Sequence, residues 1–212
     1  MHKNQIISQL IQKKIITISP DKPFTYASGM LSPIYTDLRL TVSYPELRDM
    51  IASDLANLIA KKFPEATIIG GVATAGIPHA ALVAEKLHLP MIYVRPKTKD
   101  HGKGRQIEGR FSENDKIVLI DDLITTGGSV LNAVKATEKD GGHVAGVSSI
   151  FTYYLPDAKK NFKKANVKYA PLLSYPELLK KENESGHISS EQYNILKTWH
   201  EDPWAWSKKF NN

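Results

Sequence analysis

The sequence contains no cysteine, which excludes a disulfide framework and thiolate chemistry. It also lacks any apolar run near the roughly 20 residues that a membrane-spanning helix needs. The first ten residues mix polar and apolar side chains and do not resemble a signal peptide. From these absences we expect a cytoplasmic protein without a membrane partner.

The 212 residues otherwise have the composition of a soluble globular protein, with 42% hydrophobic and 24% charged residues. Because no long polar linker interrupts them, we expect residues 1–212 to form a single domain. The net charge of +6 suits either nucleic acid or a multiply anionic small molecule. Six of the 28 Lys and Arg residues lie between positions 95 and 110, and this concentration favours a small anion over nucleic acid.

Hydrophobic patterning alternates between strand-like and helix-like segments. Short, mostly β-branched runs predict strands at 67–72, 91–95, 116–121, 144–152 and 168–173. Helical spacing predicts helices at 3–14, 43–62, 77–88, 129–140 and 189–199. Residues 24–40 predict a hairpin or a bent pair of strands. This alternation indicates an α/β fold with a mostly parallel sheet flanked by helices.

Two of these helices are predicted to begin with capping boxes, formed by Ser43 with Glu46 and by Ser189 with Gln192. The pentapeptide Ser-Tyr-Pro-Glu-Leu occurs at 43–47 and again at 174–178. We interpret the pair as two similar helix starts and not as an internal repeat.

The most informative segment is 117–129, where an apolar strand leads into two carboxylates and a turn rich in hydroxyl groups and glycine. Asp121 and Asp122 follow the strand, and residues 125–129 precede a helix. Glycine lets the backbone approach closely, and amide groups at a helix N-terminus bind an anion. Adjacent carboxylates can hold ribose hydroxyls or the water molecules of a metal. Neither a Walker loop nor a dinucleotide fingerprint is present, so the pattern predicts a sugar-phosphate site.

A second glycine-containing turn, residues 70–78, also follows a predicted strand and begins a helix. Its sequence is Gly-Gly-Val-Ala-Thr-Ala-Gly-Ile-Pro, and Pro78 would lie in the first helical turn, where its missing N–H costs little. By the same argument this turn predicts a second anion site, made by backbone amides and Thr74. The alternative is a tight strand-to-helix turn without a ligand.

The basic concentration noted above lies in a long loop after the strand at 91–95. Arg95 is followed by Lys99, then by His101 and a glycine. A long loop in a compact domain is usually functional or disordered. Its cations could neutralise negative charge that develops in a reaction, and a closed loop would exclude water. The alternative is an exposed, solubilising loop.

Taken in order, these segments resemble the orotate phosphoribosyltransferase family of type I phosphoribosyltransferases. The resemblance covers about residues 3–155, and segment 117–129 resembles the family's phosphoribosyl pyrophosphate (PRPP) motif. It implies the type I fold, with a hood made by about residues 1–40 and the C-terminal helices. It further implies the substrates PRPP and orotate, Mg²⁺ as cofactor, and a homodimer that shares the loop 96–110 across subunits.

The resemblance also implies roles for individual residues. Arg95, Lys99 and His101 would act on the pyrophosphate as catalytic residues. PRPP contacts are implied for those three and for Thr74, Ala75, Gly76, Asp121, Asp122, Leu123, Ile124, Thr125, Thr126, Gly127, Gly128 and Ser129. Orotate contacts are implied for Thr125, Tyr35 and Tyr153. No side chain is expected to ligate the metal directly, although Asp121 and Asp122 could hold its water.

Several positions depart from the family pattern and leave alternatives open. Many members have Lys where this chain has Ala27 and Ala75, and a basic residue at Pro96. Many have an Arg that binds the orotate carboxylate where Tyr153 stands. These departures permit a transferase for another base, such as a purine. The basic pI of 9.3 permits a PRPP-sensing regulator that binds nucleic acid.

Overall fold

The structure, a computed structural model, describes residues 1–26, 29–97 and 106–210. Its N-terminal part is a helix followed by two small antiparallel strand pairs. The helix is α1 (Lys3–Gln12), and the strands are β1 (Ile16–Ile18), β2 (Phe24–Thr25), β3 (Leu31–Ser32) and β4 (Ile34–Thr36). β2 pairs with β3, which confirms the predicted hairpin, while β4 pairs back onto β1. A 3-10 helix, Leu38–Ser43, follows.

A six-stranded sheet forms the centre of the molecule. Its strands are β5 (Ile68–Val72), β6 (Met91–Val94), β7 (Ile107–Glu108), β8 (Lys116–Ile124), β9 (His143–Thr152) and β10 (Tyr169–Ser174). They lie in the order β10-β9-β8-β5-β6-β7, and every neighbouring pair is parallel except β6 with β7. The prediction of a mostly parallel sheet is therefore confirmed.

Helices cover both faces of this sheet, because the central strands are apolar on both sides. The helices after α1 are α2 (Pro45–Lys62), α3 (Gly76–Leu87), α4 (Gly128–Lys139), α5 (Pro156–Ala165), α6 (Tyr175–Glu184), α7 (Ser190–Glu201) and α8 (Pro203–Phe210). On β8, Val118 and Ile120 pack into the apolar cluster that contains residues of α2 and α3. Ile117 and Leu119 face the opposite cluster, which contains residues of α4 and α5.

The C-terminal helices close over the N-terminal strands. The Trp199 indole N–H donates to the Leu31 carbonyl at 3.3 Å, and the Leu31 N–H donates to Ser207 Oγ at 2.9 Å. We call residues 1–40 together with α6, α7 and α8 the hood. None of the helices in the described part of the chain combines the length and apolar character of a bilayer span.

Two local predictions are wrong. The Ser43–Glu46 capping box is absent, because Ser43 ends the 3-10 helix and Tyr44 occupies the cap position of α2 without a side-chain hydrogen bond. The acid pair does not follow a strand that ends at 121, because β8 continues to Ile124. The extension is held by pairing of Leu123 with Phe151 of β9.

Candidate active site

The acid pair lies at the carboxyl end of β8, where parallel strands bring their following loops together. Asp121 is 8% exposed, and Asp122 is half-buried. The backbone N–H of Asp122 donates to Asp121 Oδ1 at 3.0 Å. Burial, with the charge of Asp122 next to it, raises the pKa of Asp121 above its usual value. The pair therefore places one buried acid and one more accessible acid at the carboxyl edge of the sheet.

The phosphate loop, residues 125–129, follows β8 directly and begins α4. Gly127 has φ +83°, the left-handed conformation that glycine adopts freely, and a Cβ there would lie 2.8 Å from Phe162 Cε2. Asn161 Nδ2 donates to the Thr126 carbonyl at 3.0 Å. The first N–H groups of α4 have no partner within the helix, so the loop can receive an anion.

The pyrophosphate turn, residues 73–76, joins β5 to α3 beside the acid pair. A Cβ on Gly76 would overlap the Ile120 carbonyl oxygen and lie 3.3 Å from the Cα of Asp121. Glycine thus lets the start of α3 touch the end of β8. Thr74 is exposed and Ala75 half-buried. The turn and the acid pair, predicted from separate segments, are neighbours.

A cavity of about 160 Å³ connects the pyrophosphate turn with the phosphate loop and Arg95. It is lined by Val72, Ala73, Val94, Arg95, Pro96, Gln106, Ser129, Asn132 and Ala133. Among the described residues, the buried Arg95 Nη1 has no hydrogen-bond partner, although it forms a long ion pair with Glu108 Oε1 at 3.8 Å. A buried N–H without a partner is costly, and an anion in this cavity would satisfy it. Lys99 and His101 lie outside the described residues.

The base-side predictions have different outcomes in the structure. Tyr35 is 43% exposed on β4, and its ring packs against Phe24 at a centroid distance of 5.5 Å. Tyr153 is 2% exposed, and its ring packs edge-on against Trp199 at 5.8 Å. Burial raises the pKa of Tyr153 well above its usual value. The structure therefore places Tyr35 at the surface and Tyr153 in the core beneath the hood.

Tyr153 is joined to the hood by a chain of hydroxyl groups. Tyr26 Oη lies 3.0 Å from Tyr153 Oη and 3.0 Å from Ser32 Oγ, and Tyr26 Oη also donates to the Ile34 carbonyl at 2.8 Å. His200 Nε2 lies 2.8 Å from the Tyr153 carbonyl oxygen. These contacts hold β4, which carries Tyr35, against the end of β9.

A second, larger cavity of about 500 Å³ lies beside Tyr26. It is lined by Tyr26, Met30, Thr125, Thr126, Leu155, Pro156, Asp157, Glu201, Asp202, Pro203 and Trp204. Thr125, predicted to contact the base, is in this lining. Trp204 is 50% exposed here, whereas Trp199 and Trp206 are buried. We call this the acidic cavity, because three carboxylates line it.

Two groups near the acid pair were missed from the sequence. His79 of α3 is buried, its Nε2 lies 3.1 Å from Thr41 Oγ1, and burial lowers its pKa to about 4. Arg39 forms a two-bond ion pair with Asp37, Nε to Oδ1 at 2.7 Å and Nη2 to Oδ2 at 2.9 Å. The Asp-x-Arg spacing was the signal that could have identified the second group.

Comparison with known proteins agrees with this geometry. Residues 44–170 match the phosphoribosyl transferase domain family. The chain is 91% identical, over the full length of both proteins, to the orotate phosphoribosyltransferase of Lactobacillus johnsonii. It is 52% identical to that of Levilactobacillus brevis, covering 95% of this chain and 96% of the relative.

Solved structures share the fold. Orotate phosphoribosyltransferase from Aeropyrum pernix superposes with a TM-score of 0.74 at 23% identity, over 87% of this chain and 99% of that one. Leishmania donovani UMP synthase gives a TM-score of 0.78 at 25% identity, over 94% of this chain and 42% of that one. The matched domain and the full-length similarity agree, and the chain belongs to the orotate phosphoribosyltransferases of the phosphoribosyltransferase family.

Proposed function

We propose that this site transfers the 5-phosphoribosyl group from PRPP to orotate. N1 of orotate loses its proton and attacks C1 of the ribose, the C1–oxygen bond to pyrophosphate breaks, and orotidine 5'-monophosphate and a pyrophosphate that takes up one proton leave. The observation that carries the proposal is the convergence of the acid pair, the phosphate loop and the pyrophosphate turn at one edge of the sheet. The 91% identity to an orotate phosphoribosyltransferase supports orotate as the base.

The sugar phosphate is proposed to lie along the carboxyl end of β8. The carboxylates of Asp121 and Asp122 accept hydrogen bonds from the ribose hydroxyls, and Leu123 and Ile124 carry the backbone into the phosphate loop. The loop holds the 5-phosphate through hydroxyl and amide donors of Thr125, Thr126, Gly127, Gly128 and Ser129. Gly127 supports this arrangement because its left-handed backbone turns the loop into α4.

Pyrophosphate is proposed to leave through the cavity at Arg95. Negative charge grows on this group while the sugar gains cationic character, so fixed donors stabilise the transition state more than the ground state. The donors are the Arg95 guanidinium, the amides of residues 74–76, and Lys99 and His101 of the loop 96–110. Lys99 or His101 also supplies a proton to the leaving group.

Mg²⁺ is the proposed cofactor, and it reaches the site with PRPP. Among the described residues no three His, Asp or Glu side chains form a metal cluster. Two adjacent carboxylates fit a Mg²⁺ that keeps its waters and is bound mainly by substrate phosphates. When bound, the ion would neutralise phosphate charge, and Asp121 and Asp122 would hold its waters.

On the base side, we propose that Tyr35 packs against the pyrimidine and that Thr125 donates a hydrogen bond to it. Tyr153, expected to contact orotate, is proposed to act through Tyr26 and the hood, since its ring is enclosed by aromatic neighbours. The 212 residues are proposed to work as one catalytic domain in the cytoplasm.

The proposed assembly is a homodimer in which each subunit lends its loop 96–110 to the neighbouring site. Mixing an inactive Lys99→Ala variant with an inactive Asp122→Asn variant tests this, because mixed dimers would contain one intact composite site. In a 1:1 mixture that exchanges subunits, about half of the dimers are mixed and each has one intact site of two, so activity should return toward about a quarter of the wild-type value. If mixing restores no activity while both variants dimerise, the shared site is wrong.

The activity itself is tested by the fall in ultraviolet absorbance as orotate is consumed with PRPP and Mg²⁺. We expect PRPP-dependent consumption that Lys99→Ala lowers by about 100-fold or more, because the transition state loses a charged donor. Uracil, hypoxanthine and xanthine serve as parallel substrates. Turnover of a purine without turnover of orotate would contradict the base assignment and leave the sugar site standing.

A further inference from the structure

Arg39 is a fixed cation whose donors are only partly used. Its Nε and Nη2 donate to the two oxygens of Asp37 at 2.7 and 2.9 Å, which occupies two of the five guanidinium N–H groups. Three N–H groups remain on the opposite edge, and the side chain is 69% exposed. Hydrogen bonds to Asp37 raise the pKa of Arg39. The residue is therefore a permanently charged fork held in one orientation.

The segment that carries Arg39 is anchored at the carboxyl edge of the sheet. Thr41 of the 3-10 helix Leu38–Ser43 contacts the buried His79 of α3 at 3.1 Å. Arg48 Nη1 donates to the Val42 carbonyl at 2.8 Å and fixes the end of the same segment. The segment also packs against β8. Arg39 is consequently positioned by the scaffold of the site and not by a free loop.

Arg39 interacts electrostatically with one group from each side of the proposed reaction. The Tyr35 hydroxyl and the Asp122 carboxylate both act on its guanidinium. Tyr35 is the proposed base contact, and Asp122 is a proposed ribose contact. The segment of Arg39 also links these two groups in the fold, because β4, which carries Tyr35, leads into the 3-10 helix, and this helix packs against β8, which carries Asp122.

The charge of orotate decides between two exposed aromatic side chains, Trp204 and Tyr35. The acidic cavity, with Trp204, carries Asp157, Glu201 and Asp202 in its lining. Three carboxylates would repel the carboxylate of orotate. The surface at Tyr35 instead has the Arg39 guanidinium beside it, and a guanidinium matches a carboxylate in both charge and shape.

We propose that Arg39 binds the orotate carboxylate through the N–H groups that Asp37 leaves free, while the Tyr35 ring packs against the pyrimidine. The inference rests on the proposed function, because it assigns the base-recognition residue of that reaction. Asp37 is then a positioning residue, which orients the fork without contacting orotate.

Steady-state kinetics of Arg39→Gln test the proposal. A lost charge-assisted pair should raise KM for orotate about 10- to 100-fold. KM for PRPP and the thermal shift induced by PRPP should stay within about twofold of wild type, because the sugar site is intact. Arg39→Lys keeps the charge but not the fork, and should give an intermediate KM for orotate.

Lys62→Gln is the control, since it removes an exposed cation from the last turn of α2 without removing the fork or its anchors. It should leave the ratio of the two KM values unchanged. Arg39→Gln with an unchanged KM for orotate, or with the rise confined to KM for PRPP, overturns the inference. If wild type consumes no orotate, the proposed function fails first, so the two failures are distinguishable.

Discussion

Gly76 shows how one side chain can control the geometry of the site. A Cβ at this position would overlap the backbone carbonyl oxygen of Ile120, and neither backbone can move without separating α3 from β8. We expect Gly76→Ala to lower the free energy of unfolding by about 1–3 kcal/mol, the usual range for overpacking. Urea unfolding measures the change.

Gly128→Ala provides the comparison for Gly76, because the nearest atom to its added Cβ is Thr126 Oγ1 at 3.9 Å. Gly128 lies in the first turn of α4, where alanine is a better helix former than glycine. Its stability should match or slightly exceed that of wild type. Equal destabilisation by both substitutions would show that the close contact at Gly76 is not the cause.

Asp121 gives a stability prediction that depends on pH. Its pKa is raised in the folded protein above the ordinary value of 3.8, so the folded state holds a proton that the unfolded state releases. Stability from this group is therefore lost as pH rises from 4 toward 8. Asp121→Asn, which cannot ionise, should gain stability relative to wild type at pH 8 and not at pH 4, while losing activity.

The control for Asp121 is Asp115, which lies just before β8 at its opposite end. Hydrogen bonds from the Ser112 N–H and hydroxyl lower the pKa of Asp115. The ionised Asp115 carboxylate therefore stabilises the folded state at neutral pH and loses this effect in acid. Asp115→Asn should lower the free energy of unfolding at pH 8. At pH 8, urea unfolding should show a higher free energy of unfolding for Asp121→Asn and a lower one for Asp115→Asn than for wild type. Changes of the same sign would contradict the conclusion that burial raises the pKa of Asp121.

The position of the acid pair and of residues 125–129 at one edge of the sheet could be predicted, because the strand, the two acids and the turn are continuous in sequence. The arrangement of residues on the base side could not be predicted in this way. Tyr153 was expected at the substrate, yet it is buried because Trp199, 46 positions later in the chain, packs over it. Arg39 was missed because the Asp-x-Arg spacing indicates its pair with Asp37 but not its position relative to Asp122, which is 83 residues later and depends on the fold.

At the scale of secondary-structure elements, the repeated Ser-Tyr-Pro-Glu-Leu shows the limit of local sequence. At 174–178 the serine ends a strand in an extended conformation, and it forms a capping box with Glu177 that opens α6. At 43–47 the serine ends a 3-10 helix, and Tyr44 takes the cap position instead. The preceding element, and not the five residues, decides whether the serine caps.

The repeat provides a matched pair of substitutions. Ser174→Ala removes a cap and should lower the free energy of unfolding by about 1 kcal/mol. Ser43→Ala removes a hydroxyl from the same local sequence without removing a cap, and should cost clearly less. Urea unfolding of the two variants compares them, and an equal cost would contradict the assigned role of Ser174.

Most elements of the sheet could be predicted, because buried parallel strands are continuous apolar runs. The end of β8 and the two-residue edge strand β7 were not predicted, and neither was β1, which pairs with β4 outside this sheet. Asp121 and Asp122 interrupt the apolar pattern, but pairing with β9 continues the strand beyond them. β1 has only three residues, and it depends on its partner β4, 16 positions or more away.

At the scale of the whole molecule, PRPP should stabilise the fold because its proposed contacts come from segments next to β5, β6, β8 and α4. Ligand at about 100 times its Kd adds about 2.7 kcal/mol. For a chain of this size that corresponds to a rise in Tm of roughly 5–10 °C. Thermal melts with and without PRPP and Mg²⁺ measure the shift.

Asp122→Asn should lose much of the PRPP-induced shift, because a hydroxyl acceptor for the ribose is removed. Asp115→Asn, at the far end of the same strand, should keep the full shift even though its starting Tm differs. A shift that Asp122→Asn retains in full would mean that the sugar does not lie on the acid pair.

The three tryptophans differ in solvent exposure, so their fluorescence can distinguish changes near one of them from changes elsewhere. Trp199 and Trp206 are enclosed, whereas Trp204 is half exposed in the wall that it shares with Thr125. Excitation at the red edge of the absorption band selects the solvated indole, and a collisional quencher such as acrylamide reaches it first. Emission from Trp204 can therefore follow, without any added dye, whether a ligand beside the phosphate loop changes the space next to the C-terminal helices.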